Sequence, residues 1–121
     1  MRTASFVGQY IHCAFYTHPT IKDGDVVIFI AIDNYSAFAY KPLLVKVFNM
    51  QAAHTFLVNV LDELHTIHPH VKPNFIMSFG KSFWKELENA VGKKAALFYE
   101  PDEANRITLP VIEMMMKKMS L

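Results

Sequence analysis

The sequence predicts an α/β fold with a five-stranded mixed sheet flanked by helices, in the order βββαβαβα. Three observations carry this. The first third is apolar, β-branched and aromatic, broken by short runs of turn residues. Near Asn49 the apolar spacing changes to that of a helix. From there strand-like and helix-like segments alternate, the pattern of crossover connections and parallel strands.

Each element has its own reason. Tyr10 to Tyr16 is aromatic and apolar and reads as the first strand. His18 to Asp25 follows, and its Asp23-Gly24 marks a turn between strands. Val26 to Asp33 is nearly all apolar, as in a strand buried on both faces. Asn34-Tyr35-Ser36 makes a short turn, and Ala37 to Val47 is a third extended stretch, completing an antiparallel meander. Asn49 is an N-cap for a helix from Met50 to Ile67, with Ala53, Leu57, Val60, Leu61, Leu64 and Ile67 on one face. Pro69 stops it, because the residue before a proline disfavours helix. Asn74 to Ser78 is a short strand, parallel to one in the first sheet. After the Phe79-Gly80 turn, Ser82 to Val91 is a second helix closed by Gly92. Ala95 to Tyr99 is a fifth strand and Glu100 to Arg106 a polar loop. Leu109 to Met119 is the last helix, with Pro110 at or near its first position.

Composition bounds the function. A chain of 121 residues is expected to form a single domain over 1–121 with one real core. Hydrophobic residues make up 52% and net charge is +1, which excludes disorder as the main state and gives no signal of a strongly basic nucleic-acid binder. The longest clean apolar run, Val26 to Ile32, is far short of a membrane span. The lone Cys13 excludes an internal disulfide, and the N-terminus lacks a secretory h-region. The expectation is a soluble intracellular protein, cytoplasmic or nucleoid-associated.

Three local strings narrow this reading. Ile30-Ala31-Ile32-Asp33-Asn34-Tyr35-Ser36 is similar to a second strand ending in Asp-x-x-Ser. Phe75-Ile76-Met77-Ser78-Phe79-Gly80-Lys81-Ser82-Phe83 resembles a strand followed by Asp-Asn-Gly-x-x-Phe. Val111-Ile112-Glu113 resembles a segment carrying a final glutamate. Together, across about residues 8–120, they resemble the catalytic core of retroviral-type integrases and insertion-sequence transposases, which have the ribonuclease-H-like fold. The resemblance implies descent from DNA integration and strand transfer in a mobile element. It also implies three carboxylates holding two Mg²⁺ or Mn²⁺ ions, which activate water or a 3′-hydroxyl and stabilise the leaving oxygen.

The chain departs from that pattern at two of the three acids. His12 stands where the first Asp belongs and Ser78 where the second belongs. Phe79 replaces the following Asn, and Pro110 replaces a Gly before the last motif. Glu113, 35 positions after Ser78, would be the surviving acid and metal ligand. A serine and an imidazole do not balance two dications, so the expectation is a catalytically defective core with no cofactor. A site rearranged around Asp33 or Asp102 stays open. So do a metal-dependent nuclease with an altered site, a non-catalytic dimerisation or DNA-holding module, and a decayed fragment of a mobile element.

The remaining residues have plainer readings. Asp33 is an Asx-type cap on Tyr35 or Ser36. His65, His68 and His70 cluster at a helix end, where exposed histidines favour the dipole more often than they bind zinc. His12 reads equally as a core histidine or an active-site remnant, and Cys13 lacks the surroundings of a nucleophile. Phe83 and Trp84 read as core. Met114, Met115 and Met116 cannot all face one way in a helix, and with Met119 they suggest an interface and a homodimer. Lys93-Lys94, Lys117-Lys118 and Arg106 read as solvated surface, or as phosphate contacts if DNA binds.

Overall fold

A computed structural model describes residues 2–22 and 24–119. The elements are β1 (Tyr10–Thr20), β2 (Gly24–Asp33), β3 (Leu43–Val45), α1 (Met50–Ile67), β4 (Asn74–Met77), α2 (Trp84–Val91), β5 (Ala96–Tyr99) and α3 (Pro101–Met119). Short 3-10 turns, Lys81–Phe83 and Gly92–Lys94, flank α2. The sheet runs in the order β3-β2-β1-β4-β5. β1 pairs antiparallel with β2 and parallel with β4, β2 pairs antiparallel with β3, and β4 pairs parallel with β5. This is the mixed five-stranded sheet and the βββαβαβα order that the sequence predicts.

Alternation along the strands sorts side chains onto two faces. Ile11, Cys13, Phe29, Ala31, Phe75 and Met77 enter the larger core, which α1 and α2 cover. Ala14, Ile28, Ile30 and Ile32 enter the smaller core, which α3 closes with Ile112. Phe29 centres the larger core, with the rings of Phe15, Phe48, Phe56 and Phe79 within 6.0 Å of its own. The α1 bounds match the expectation, and Asn49 Oδ1 accepts from the Ala52 N–H at 2.8 Å. Ile67 departs from the expected buried face and is 73% exposed.

Three segments differ from the sequence reading. The first hairpin is longer than expected, pairing as far as Thr20 with Gly24. Pro19 is tolerated inside β1 because β4 pairs only Tyr10 to Cys13, so the far half of β1 is an edge that needs no donor there. Asp23, half of the expected turn, lies outside the described residues. The third strand is shorter than expected. Residues 37–40 make only a bridge from Ala39 to Ile32, and Pro42 interrupts the run before Leu43–Val45. The largest difference is at the last helix. It begins at Pro101, not Leu109, so Glu100 to Arg106 is not a loop. Pro101 takes the first helical position, where its missing N–H costs nothing, and Asp102 and Glu103 favour the positive end of the dipole. Pro110 sits inside the helix, on its solvent side, and removes one bond to the Arg106 carbonyl.

Candidate functional site

β1, the end of β4 and the first turns of α3 meet on the α3 face of the sheet. His12 points there, because its neighbours Ile11 and Cys13 belong to the other core. It is fully buried. Alternation from Met77 puts the half-buried Ser78 on the same face, and its N–H donates to the Cys13 carbonyl at 3.0 Å. The inward stripe of α3 is Ala104, Thr108 and Ile112, all buried. Thr108 Oγ1 lies 2.9 Å from the Ala104 carbonyl and 2.7 Å from the Tyr16 hydroxyl, fixing the helix on β1.

One residue ahead of Ala104, Glu103 meets His12. The imidazole Nε2 is 2.8 Å from Glu103 Oε2, while Arg2 Nη1 is 3.1 Å from Oε1. Arg2 also pairs with Glu100 and lies over the rings of Tyr10 and Phe98. Burial works against ionisation of Glu103, but the His12 hydrogen bond and the Arg2 charge outweigh it, and the carboxyl is held below its ordinary range. An ionised carboxylate only accepts, so Nε2 carries the proton of this bond. The Nδ1 atom of His12 is buried without a partner. The hydrogen bond to Glu100 raises the Arg2 guanidinium above its already high value, so it is a permanent cation.

The carboxylate that meets His12 is Glu103, not Glu113. Glu113 is exposed and ten residues further on, about 15 Å along a helix axis, near Tyr16. His12 and Ser78 share a face at the head of α3, and Glu113 stands toward its other end. Sequence reasoning missed Glu103 because the segment read as loop, and it missed Arg2 because nothing local marks it. The signal for Glu103 was Pro101 followed by two acids, a helix start.

These residues do not fit a two-metal centre. Both oxygens of Glu103 are already engaged, Oε1 by the Arg2 guanidinium and Oε2 by the His12 Nε2–H, and Ser78 is neutral. Asp33 is fully buried and committed too: Oδ1 accepts from Gly8, and Oδ2 from the Ser36 N–H and hydroxyl. That is the cap expected of it. Asp102 is exposed at the helix start. Among the described residues, no group of three or more His, Cys, Asp or Glu is placed to hold a metal ion.

The other candidates resolve simply. His65 Nε2 bonds the Val71 carbonyl at 2.7 Å. Cys13 is fully buried, and burial pushes its thiol far up, the opposite of an activated nucleophile. Phe83 and Trp84 pack against the larger core. Met115 and Met116 pack against the smaller core while Met114 is 56% exposed; the Met119 side chain lies outside the described structure. Lys93-Lys94 and Lys117-Lys118 are exposed at the ends of helices that cover opposite sheet faces, so they form no single basic stripe. Among the described residues, no helix is long and apolar enough to cross a membrane.

Comparison with known proteins adds one likeness. No family model matches the chain, and no curated protein matches it. A chain of the simian T-cell lymphotropic virus intasome, solved in complex with PP2A regulatory subunit B56 gamma, is similar with a TM-score of 0.77 at 11% identity. The likeness covers 98% of this chain and 43% of that one. At this identity it speaks to the fold alone. The fold is α/β and ribonuclease-H-like, a five-stranded mixed sheet flanked by three helices.

Proposed function

We propose that this chain is an integrase-core-like domain that has given up metal-dependent strand transfer and acts by binding, as an assembly module of a DNA-integration system. One observation carries the reading. Where the family's acids would gather around divalent metals, this chain has the internal charge chain His12–Glu103–Arg2–Glu100. Arg2 supplies the positive charge that two metals would supply elsewhere, and it cannot activate a water as they do. The intasome likeness supports the wider setting, since part of a chain in that structure has the same fold. Partners on this reading are a second protein chain and, more weakly, DNA.

The test is calorimetric titration of Mn²⁺ and Mg²⁺ into the wild type, Glu103→Ala and Glu113→Ala, paired with a plasmid-nicking assay. The expected result is no saturable binding up to about 10 mM and no nicking, since one accessible carboxylate holds Mg²⁺ weakly. Millimolar or tighter binding that either variant abolishes, with metal-dependent nicking, would overturn the reading in favour of a nuclease with an altered site.

A further inference from the structure

The outward face of α3 carries a charge pattern that no ion pair among the described residues uses. The buried stripe Ala104–Thr108–Ile112 and the half-buried Ile107, Val111 and Met115 beside it fix which side of the helix is solvent. At 100° per residue, Asp102, Arg106, Pro110, Glu113 and Lys117 fall within about 50° of the opposite meridian. All five are exposed, and Leu109 beside them is 44% exposed. Asp102 and Arg106, like Glu113 and Lys117, stand at the i,i+4 spacing that often pairs within a helix. Yet among the described residues the ion pairs are those of Arg2 and His12, and none involves these four.

The order of the charges reads as its own complement. It runs minus, plus, apolar, minus, plus: Asp102, Arg106, Leu109-Pro110, Glu113, Lys117. A two-fold axis between Leu109 and Pro110 sets Arg106 against Glu113 of a second helix, and Asp102 against its Lys117. These positions stand about 5 Å and about 11 Å from the axis on either side. The exposed Leu109 lies at the centre. A parallel arrangement puts every charge on its own like. Sliding the antiparallel pair by one turn opposes Arg106 to Lys117 or Asp102 to Glu113. Among antiparallel registers this one pairs all four charges, and it is the isologous contact of a closed dimer.

We infer that the outer face of α3 is a docking surface for a second copy of this chain, packed antiparallel about the Leu109–Pro110 axis. The inference rests on the assembly reading for its purpose, and names the partner. The contact itself stands or falls on association measured without DNA or metal, so it can fail while that reading survives, and the reverse. A single helix pair buries less than the ~800 Å² per partner of a stable interface. The dimer is therefore weak, forming at roughly 0.1–1 mM protein.

The experiment is sedimentation equilibrium of the full chain across that range, with wild type, Arg106→Glu, Glu113→Arg and the double swap. Each single variant is expected to weaken association about tenfold, and the double swap to restore it. Far-UV circular dichroism checks that these surface variants fold. Mild oxidation of Leu109→Cys is expected to give a cross-linked dimer far faster than Lys93→Cys, which is exposed elsewhere. A wild type that stays monomeric at 1 mM, with both cysteines cross-linking equally slowly, would refute the inference. Association that the double swap does not restore would refute it as well, by showing another surface at work.

Discussion

Removing the Glu103 carboxylate is the perturbation that most directly probes the charge chain at the head of α3. In Glu103→Ala, His12 loses the partner of its Nε2 while its Nδ1 has none, in a fully buried ring. Leaving one such donor unsatisfied costs about 1–3 kcal/mol. Loss of a first-turn acid adds about 0.3–1 kcal/mol. Arg2 keeps Glu100, so its side of the network loses less. The expected destabilisation is about 2–4 kcal/mol, read by urea unfolding as a lower midpoint at unchanged slope. Glu103→Gln keeps an acceptor for His12 but loses the charge and the bond to Arg2, whose other partner Glu100 remains, for about half that cost. Replacing both partners by leucine in His12→Leu/Glu103→Leu recovers much of the loss, because no polar group is then stranded.

The pH dependence gives a second reading of the same variant. Glu103 ionises more readily in the folded chain than in the unfolded one, so it adds stability above its ordinary value of 4.5. That contribution is lost as pH falls through its folded value. The stability gap between wild type and Glu103→Gln is therefore flat at neutral pH and closes in acid. A Glu103→Ala variant within about 0.5 kcal/mol of wild type would refute the argument, since that is the scatter of ordinary surface changes. So would a gap that stays unchanged as the pH is lowered until the chain unfolds.

Three further outcomes follow from the same packing. Installing acids at the family positions, His12→Asp/Ser78→Asp, is expected to destabilise the metal-free chain by like-charge repulsion against Glu103. Millimolar Mn²⁺ should then restore about 2–3 kcal/mol in thermal unfolding while leaving wild type unmoved; no Mn²⁺ response would mean these positions do not converge. Cys13 is expected to resist a thiol reagent such as DTNB until the chain unfolds, its labelling rate rising with denaturant; fast native labelling would contradict its burial. Asp33→Ala strands the Gly8 and Ser36 donors, and a loss of about 2–4 kcal/mol by chemical denaturation is expected; Asp33→Asn keeps an acceptor and loses less.

The fold was legible because its signals are local and agree with one another. Asn49 before an apolar stripe marks α1 at the bounds observed. The doubly apolar run Val26 to Asp33 marks a central strand, and seven consecutive residues from Val27 to Asp33 are buried. The site was harder, because its geometry depends on one helix boundary. Two prolines, Pro101 and Pro110, compete for the first position of α3, and proline suits a helix start better than its interior. The Asp102-Glu103 pair was the deciding sign, since acids favour the first turn. Missing it left Glu103 in a loop and hid the partner of His12. Arg2 was beyond reach, because an arginine eight residues before the first strand gives no local hint of where it folds back.

On the proposed reading, His12, Ser78 and Arg2 belong together once α3 is placed. With no donor at position 12 and no Arg2, Glu103 would stand as a partly buried anion with nothing to balance it. Such a charge is expensive, and it would draw either a proton or a metal. Instead the chain provides two donors of its own: Arg2, always charged, and the His12 N–H. An aspartate at 12 would oppose Glu103 and call for a bound dication. A histidine there removes the repulsion and adds a hydrogen bond to the same carboxylate. On the proposed reading, the residue that stands in place of a metal ligand is thus the one that makes a metal unnecessary to the fold. On the proposed reading this frees the surrounding surface, α3 above all, for contacts that do not depend on a reaction at the sheet's edge.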